Sequence, residues 1–302
     1  MPDTGALDPW VTEWFAANPM FGQPFEELSP ELLALARSPQ GAPPVREIAH
    51  VHDATVAGVP VRVYRPAAPP TGIVVYFHGG GFCIGSIGLM DNVARELAHC
   101  TGAAVVSVEY RLAPEHPFPA GLDDCEAVTR WALEHPSALG GTPERVAVAG
   151  ESAGGNLSAA VALRLHGAGG APLAAQVLIY PAVDDAHASY ESRTSFDGIV
   201  ISTKQRHLFH DAYTAGGDDR DPFVAPLHAE TLAGLPPAIV VVGGCDPLRD
   251  EGLRYAQRLR ADGVPVEELC CGGQPHGFLN FGFPAAADAY ARIGPFVRAA
   301  FA

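Results

Sequence analysis

The stretch Val146-Ala147-Val148-Ala149-Gly150-Glu151-Ser152-Ala153-Gly154 runs from a strand-sized apolar segment straight into a serine with glycine two places to either side. A serine so placed sits on a sharp turn between a strand and a helix, its hydroxyl held out from the chain. The flanking glycines are read as answers to backbone conformations that a Cβ would block. Upstream, a second apolar run, Ile73–Phe77, ends in His78-Gly79-Gly80-Gly81-Phe82. Glycines at a strand end offer bare backbone N–H groups, the donors that a developing oxyanion requires. A serine that merely capped a helix would need no glycine on both sides. The two segments together point to a nucleophile and its oxyanion hole.

Working outward, the same rhythm repeats. Apolar runs at Ile73–Phe77, Ala104–Val108, Val146–Ala149, Gln176–Tyr180, Ala238–Val242 and Val264–Leu269 alternate with helical stretches. Their apolarity is continuous rather than alternating, which predicts strands covered on both faces: an α/β fold with a mainly parallel sheet and crossover helices. Two alternating segments around 46–53 and 58–65, joined near Ala57-Gly58, read as an antiparallel pair preceding them. Residues 10–37 carry helical spacing, with Trp10, Trp14 and Phe15 on one face. These aromatics suit either the core of a cap or the wall of an acyl pocket, and core is the reading preferred here. From about 184 to 227 no strand is predicted, and Phe196, Ile199, Leu208, Phe209 and Tyr213 recur at helical intervals. An insertion of that length between strands is expected to serve a function, such as a lid.

Composition narrows the class. A chain of 302 residues with 48% hydrophobic and 18% charged residues is that of a folded enzyme with one sizeable core. The formal net charge of −15 argues against nucleic acid and anionic membranes as partners. No apolar run approaches the ~20 residues of a membrane span, and the N-terminus lacks the basic-then-apolar pattern of a secretory signal. The six cysteines, without a C-x-x-C pair, fit free thiols and a cytoplasmic protein rather than a disulfide scaffold or a zinc site.

Active sites of open parallel sheets lie outside the carboxyl ends of the strands. Four loops follow strands here: His78–Phe82, Gly150–Gly155, Gly243–Asp250 and Gln274–Phe278. The chain order Ser152, Asp246, His276 is that of nucleophile, orienting acid and base laid on successive strands. His276 has the intrinsic basicity to take the serine proton near neutrality, and Asp246 would fix its tautomer. Backbone N–H groups of Gly80, Gly81 and Ala153 would meet the oxyanion. Asp250 competes with Asp246, but it reads as the start of a helix. Glu151 should point away from the nucleophile. His50 and His52 share one face of a predicted strand and could begin a metal site, yet no third ligand stands near them in sequence, so no metal is expected. Cys83 and Cys245 flank the site without a glycine elbow and read as packing residues, as does Cys270-Cys271.

These motifs, with Tyr110-Arg111-Leu112-Ala113-Pro114-Glu115 and Asp246-Pro247-Leu248-Arg249-Asp250, resemble those of the bacterial hormone-sensitive-lipase-like esterases, a branch of the α/β-hydrolase fold. The resemblance runs from about residue 70 to 280. One departure is Glu151, where many relatives carry Asp or Thr. The likeness implies a triad at Ser152, Asp246 and His276, and an oxyanion hole at Gly80, Gly81 and Ala153. It also implies a cap made from about 1–42 and 184–222, no cofactor, and hydrolysis of short- to medium-chain acyl esters through an acyl-enzyme. The alternatives are a deacetylase or amidase for a particular small metabolite, and a non-catalytic receptor on the same scaffold. Relatives that dimerise through a sheet edge make the 264–269 strand a candidate homodimer contact.

Overall fold

A computed structural model describes residues 5–18, 25–38, 45–169 and 172–302. The predicted cap segment 1–42 therefore lies partly outside the described residues. Eight strands, β1 (His50–Val56), β2 (Val59–Arg65), β3 (Ile73–Phe77), β4 (Ala104–Val108), β5 (Val146–Glu151), β6 (Ala175–Ile179), β7 (Ala238–Gly243) and β8 (Val266–Cys271), form one sheet. Their order is β1-β2-β4-β3-β5-β6-β7-β8. The first two pairings, β1 with β2 and β2 with β4, are antiparallel; every later pairing is parallel. Strands β3 to β7 are buried at every position, as continuous apolarity demands.

Helices cover both faces. α4 (Ala120–Glu134), α5 (Ala153–Gly167) and α8 (Arg249–Ala261) pack Leu122, Leu157 and Leu259 onto one side; α3 (Asp91–Thr101) and α9 (Ala285–Ala300) pack Leu97 and Ile293 onto the other. Between β6 and β7 lie two further helices, α6 (Glu191–Ser195) and α7 (Thr203–Thr214), and no strand. Ser202 caps α7 through a full capping box with Gln205, which explains why a helix starts there. At the N-terminal end, α1 (Pro9–Ala17) sets Trp10 and Trp14 edge-on against Phe283, while α2 (Pro30–Arg37) buries Leu33 beside Cys83, Ala113 and Phe209. Trp10, Trp14 and Phe15 thus pack on the aromatic segment that follows His276 and do not line the pocket described below.

The first strand differs most from its expected bounds, while the last, expected at 264–269, runs Val266–Cys271. β1 begins at His50 rather than near residue 46, because most of its residues face solvent and impose little apolar periodicity.

Candidate active site

Ser152 stands between β5 and α5 with φ 58 and ψ −120, a conformation a side-chain-bearing residue adopts only under strain. The flanking glycines answer a different need from the one expected. Neither Gly150 nor Gly154 has a positive φ. A Cβ on Gly154 would lie 1.9 Å from the Phe77 carbonyl oxygen, so the turn must be bare to seat against the end of β3. In the glycine loop after β3, by contrast, Gly81 does adopt φ 57, and a Cβ there would also enter the Phe209 ring.

From this turn the Ser152 hydroxyl reaches His276 Nε2 at 2.9 Å, and His276 Nδ1 meets Asp246 Oδ2 at 2.8 Å. The other oxygen of Asp246 accepts the Leu248 N–H at 2.7 Å, which restrains the carboxylate. All three side chains are buried. Burial works to lower the His276 pKa, but the charge and hydrogen bond of Asp246 outweigh it and the net shift is upward. Asp250, the competing acid, heads α8 and spends its oxygens on the Ser192 N–H and on Arg249.

Gly81 and Ala153 border the pocket beside Ser152. Among the described residues, the N–H groups of Gly80, Gly81 and Ala153 are committed to no protein acceptor. Behind the loop, Glu151 points away from the pocket and holds the loop in place. Its carboxylate accepts from the Gly79 N–H, from Tyr76 Oη at 3.2 Å and from Asn280 Nδ2 at 3.3 Å. Burial pushes its pKa up to about 7 against those donors. Sequence reading had placed Glu151 off the reaction path without finding this anchoring contact, which spans 72 residues of chain.

The thiols do not compete for the chemistry. Burial pushes Cys83 up to about 12, so it is no thiolate at neutral pH. His50 and His52 sit exposed on β1 without an acidic or thiol group completing a ligand set among the described residues. Among the described residues, the acid–histidine group that does converge is Asp184, Asp185 and His228, in the segment between β6 and β7. Its members are hydrogen-bonded to one another and to Tyr190, a self-satisfied network.

The pocket over Ser152 has a cavity volume of about 60 Å³ and is walled by α7, by the start of α8 and by the segment after β6. A space of that size admits only a small group beside the serine. Sequence reading missed its polar wall, above all the buried pair of Arg193 and Glu251. The two are 58 residues apart, and no local periodicity couples them.

The sequence profile of the α/β-hydrolase fold family matches residues 74–280. The chain belongs to that family. This hydrolase is similar along nearly its whole length to Esterase LipI of Mycobacterium tuberculosis, at 37% identity over 94% of this chain and 92% of that one. Carboxylesterase NlhH of the same organism is 45% identical over 78% of this chain and 76% of its own. Among solved structures, the hyperthermophilic esterase of Pyrobaculum calidifontis superposes with a TM-score of 0.88 at 34% identity, covering 98% of this chain and all of the other. The thermostable carboxylesterase EstE1, from a metagenomic library, gives 0.81 at 35% identity over 90% and 93%. The hydrolase is accordingly a carboxylic ester hydrolase of the hormone-sensitive-lipase-like branch. Among the described residues no helix is long and apolar enough to cross a membrane.

Proposed function

We propose that Ser152 is the nucleophile of this esterase, His276 its general base and Asp246 the acid that orients and charges the base. The observation that carries the reading is the unbroken chain Ser152–His276–Asp246, with contacts of 2.9 and 2.8 Å. His276 takes the serine proton as Oγ attacks the ester carbonyl, and the oxyanion is received by the N–H groups of Gly80, Gly81 and Ala153. Collapse of the intermediate expels the alcohol, which takes the proton from His276 and leaves an acyl-serine. Water, activated by the same imidazole, then releases the acid.

In this reading the two N-terminal helices and the segment from 184 to 222 cap the strand ends, and the enclosed space favours short to medium acyl chains. Six free cysteines support a cytoplasmic setting. Ser152→Ala should lower hydrolysis of 4-nitrophenyl butyrate by ~10⁴-fold or more. Retained turnover would overturn the assignment. A series of esters from acetate to decanoate, with an amide control, should peak at short chains and leave the amide nearly untouched. A peak at decanoate would place the acyl group outside this pocket, and faster cleavage of the amide would favour the amidase alternative.

A further inference from the structure

Helix α7 turns Arg206, Phe209, His210 and Tyr213 toward the pocket, the i, i+3, i+4, i+7 face of the helix. Three of those positions carry rings; the fourth carries a guanidinium, although it is only 8% exposed. Its Nη2 donates to Thr203 Oγ1 at 2.8 Å, and its Nη1 reaches the Ala186 carbonyl oxygen at a long 3.5 Å. Nε is buried with no hydrogen-bond partner. No carboxylate lies within ion-pair distance of Arg206 among the described residues.

Its charged neighbours in the same wall are occupied, while the uncharged Tyr213 Oη and Asn156 Oδ1 are, like Arg206 Nε, buried without a partner. Arg193 gives its donors to Glu251 and to the carbonyl oxygens of Asp185, Ala186 and Ala188. Glu251 is spent on Arg193 and on the Val183 N–H. Asp184 is taken by Tyr190 and His228, and His210 by Asp219. Among the described residues of the pocket wall, Arg206 is the charged side chain that makes no contact with an opposite charge. Burial and the nearby charge of Arg193 push its pKa down, against the more distant carboxylates of Glu251, Asp197 and Asp246. A buried cation with idle donors on an otherwise aromatic helix face breaks the local packing rule, and such breaks belong to binding.

We propose that Arg206 receives an anionic oxygen group of the substrate, so that the preferred esters carry a carboxylate a few bonds from the scissile carbonyl, as half-esters of short dicarboxylic acids do. A guanidinium matches a carboxylate through parallel N–H donors, and each Nη of Arg206 keeps a second N–H beyond the one given to Thr203 or Ala186. The carboxylate takes no part in bond making. Ester and water still give acid and alcohol, and the charged arm fixes where the ester sits. The inference rests on Ser152 as the nucleophile.

The test compares matched esters. 4-Nitrophenyl hemiglutarate against 4-nitrophenyl butyrate places the carboxylate on the acyl arm; 4-butyryloxybenzoate against phenyl butyrate places it on the alcohol arm. In one of the two pairs the wild type should show kcat/KM for the anionic ester at least equal to that for the neutral one, mostly through a lower KM. Arg206→Met should lower that anionic-to-neutral ratio at least tenfold, with Arg206→Lys falling between. A wild type that turns over both anionic esters ten times less efficiently than their neutral partners would overturn the inference without any variant. So would a ratio that Arg206→Met leaves within twofold, or a loss equal on all four esters, which marks a packing role only. If neutral esters are cleaved and that cleavage survives Ser152→Ala, the nucleophile assignment fails instead.

Discussion

Asp246 accepts hydrogen bonds at both oxygens, from Leu248 and from His276, while Asp250 is turned toward Ser192 and Arg249. The difference of four residues therefore separates an acid bonded to the proposed base from one that joins α8 to α6. Asp246→Asn should cut kcat by ~10⁴-fold, because an amide cannot hold the reactive tautomer and stabilise the imidazolium. Asp250→Asn should keep most activity; the opposite pair of rates would move the orienting acid to position 250. The pH dependence follows from the upward shift of His276. The base works only when neutral, so kcat/KM should rise with pH on a limb whose midpoint lies above the ordinary ~6.5 of an imidazole. Residual activity of Asp246→Asn should show that limb displaced to lower pH. A limb unmoved by the substitution would mean that Asp246 does not set the basicity.

At the scale of elements, Glu151 joins the end of β5 to the glycine loop that follows β3. Glu151→Ala leaves the Gly79 N–H buried and unpaired, a loss of about 1–3 kcal/mol in stability, and should also lower kcat by freeing the loop proposed to carry oxyanion donors. Glu151→Gln tests the charge alone. A buried acid whose pKa rises from 4.5 to about 7 binds its proton more tightly when folded, so its contribution to stability falls as pH climbs through that window. The glutamine variant should flatten the decline of Tm between pH 5 and 7, and an unchanged slope would assign the decline elsewhere. These elements differ in how far they can be read from sequence. The buried strands were legible within a residue or two, since both faces must be apolar, and the strand ends located the serine, acid and histidine loops. β1, mostly exposed, was placed four residues early. Arg206 escaped notice for a physical reason: on sequence alone, a charged residue in a helical insertion reads as solvent-facing. Only the packing of α7 onto the pocket turns it inward.

For the whole molecule, charge decides how copies meet. β8 is an edge strand carrying Glu267 and Glu268, paired with Arg292 and Arg260, on a chain of formal net charge −15. A homodimer across that edge would bring together two chains of like net charge, although the edge glutamates are themselves paired with arginines. Light scattering should then find the dimer fraction growing from low to high salt, as screening shortens the reach of repulsion. Dimerisation that weakens with salt would point to a different contact, and a monomer throughout would end the proposal. The turn at Ser152 bears on the molecule's history as well as its chemistry. Only glycine is at ease at φ 58 with ψ −120. Ser152→Gly should therefore yield an inert protein that melts higher than wild type, whereas Ser152→Ala, still strained, should gain less; calorimetry of the two variants would check the order. Selection for turnover holds this chain on an energetic slope. Should that selection lapse, one codon change leads downhill to a sturdier scaffold that keeps its pocket and has lost its reaction.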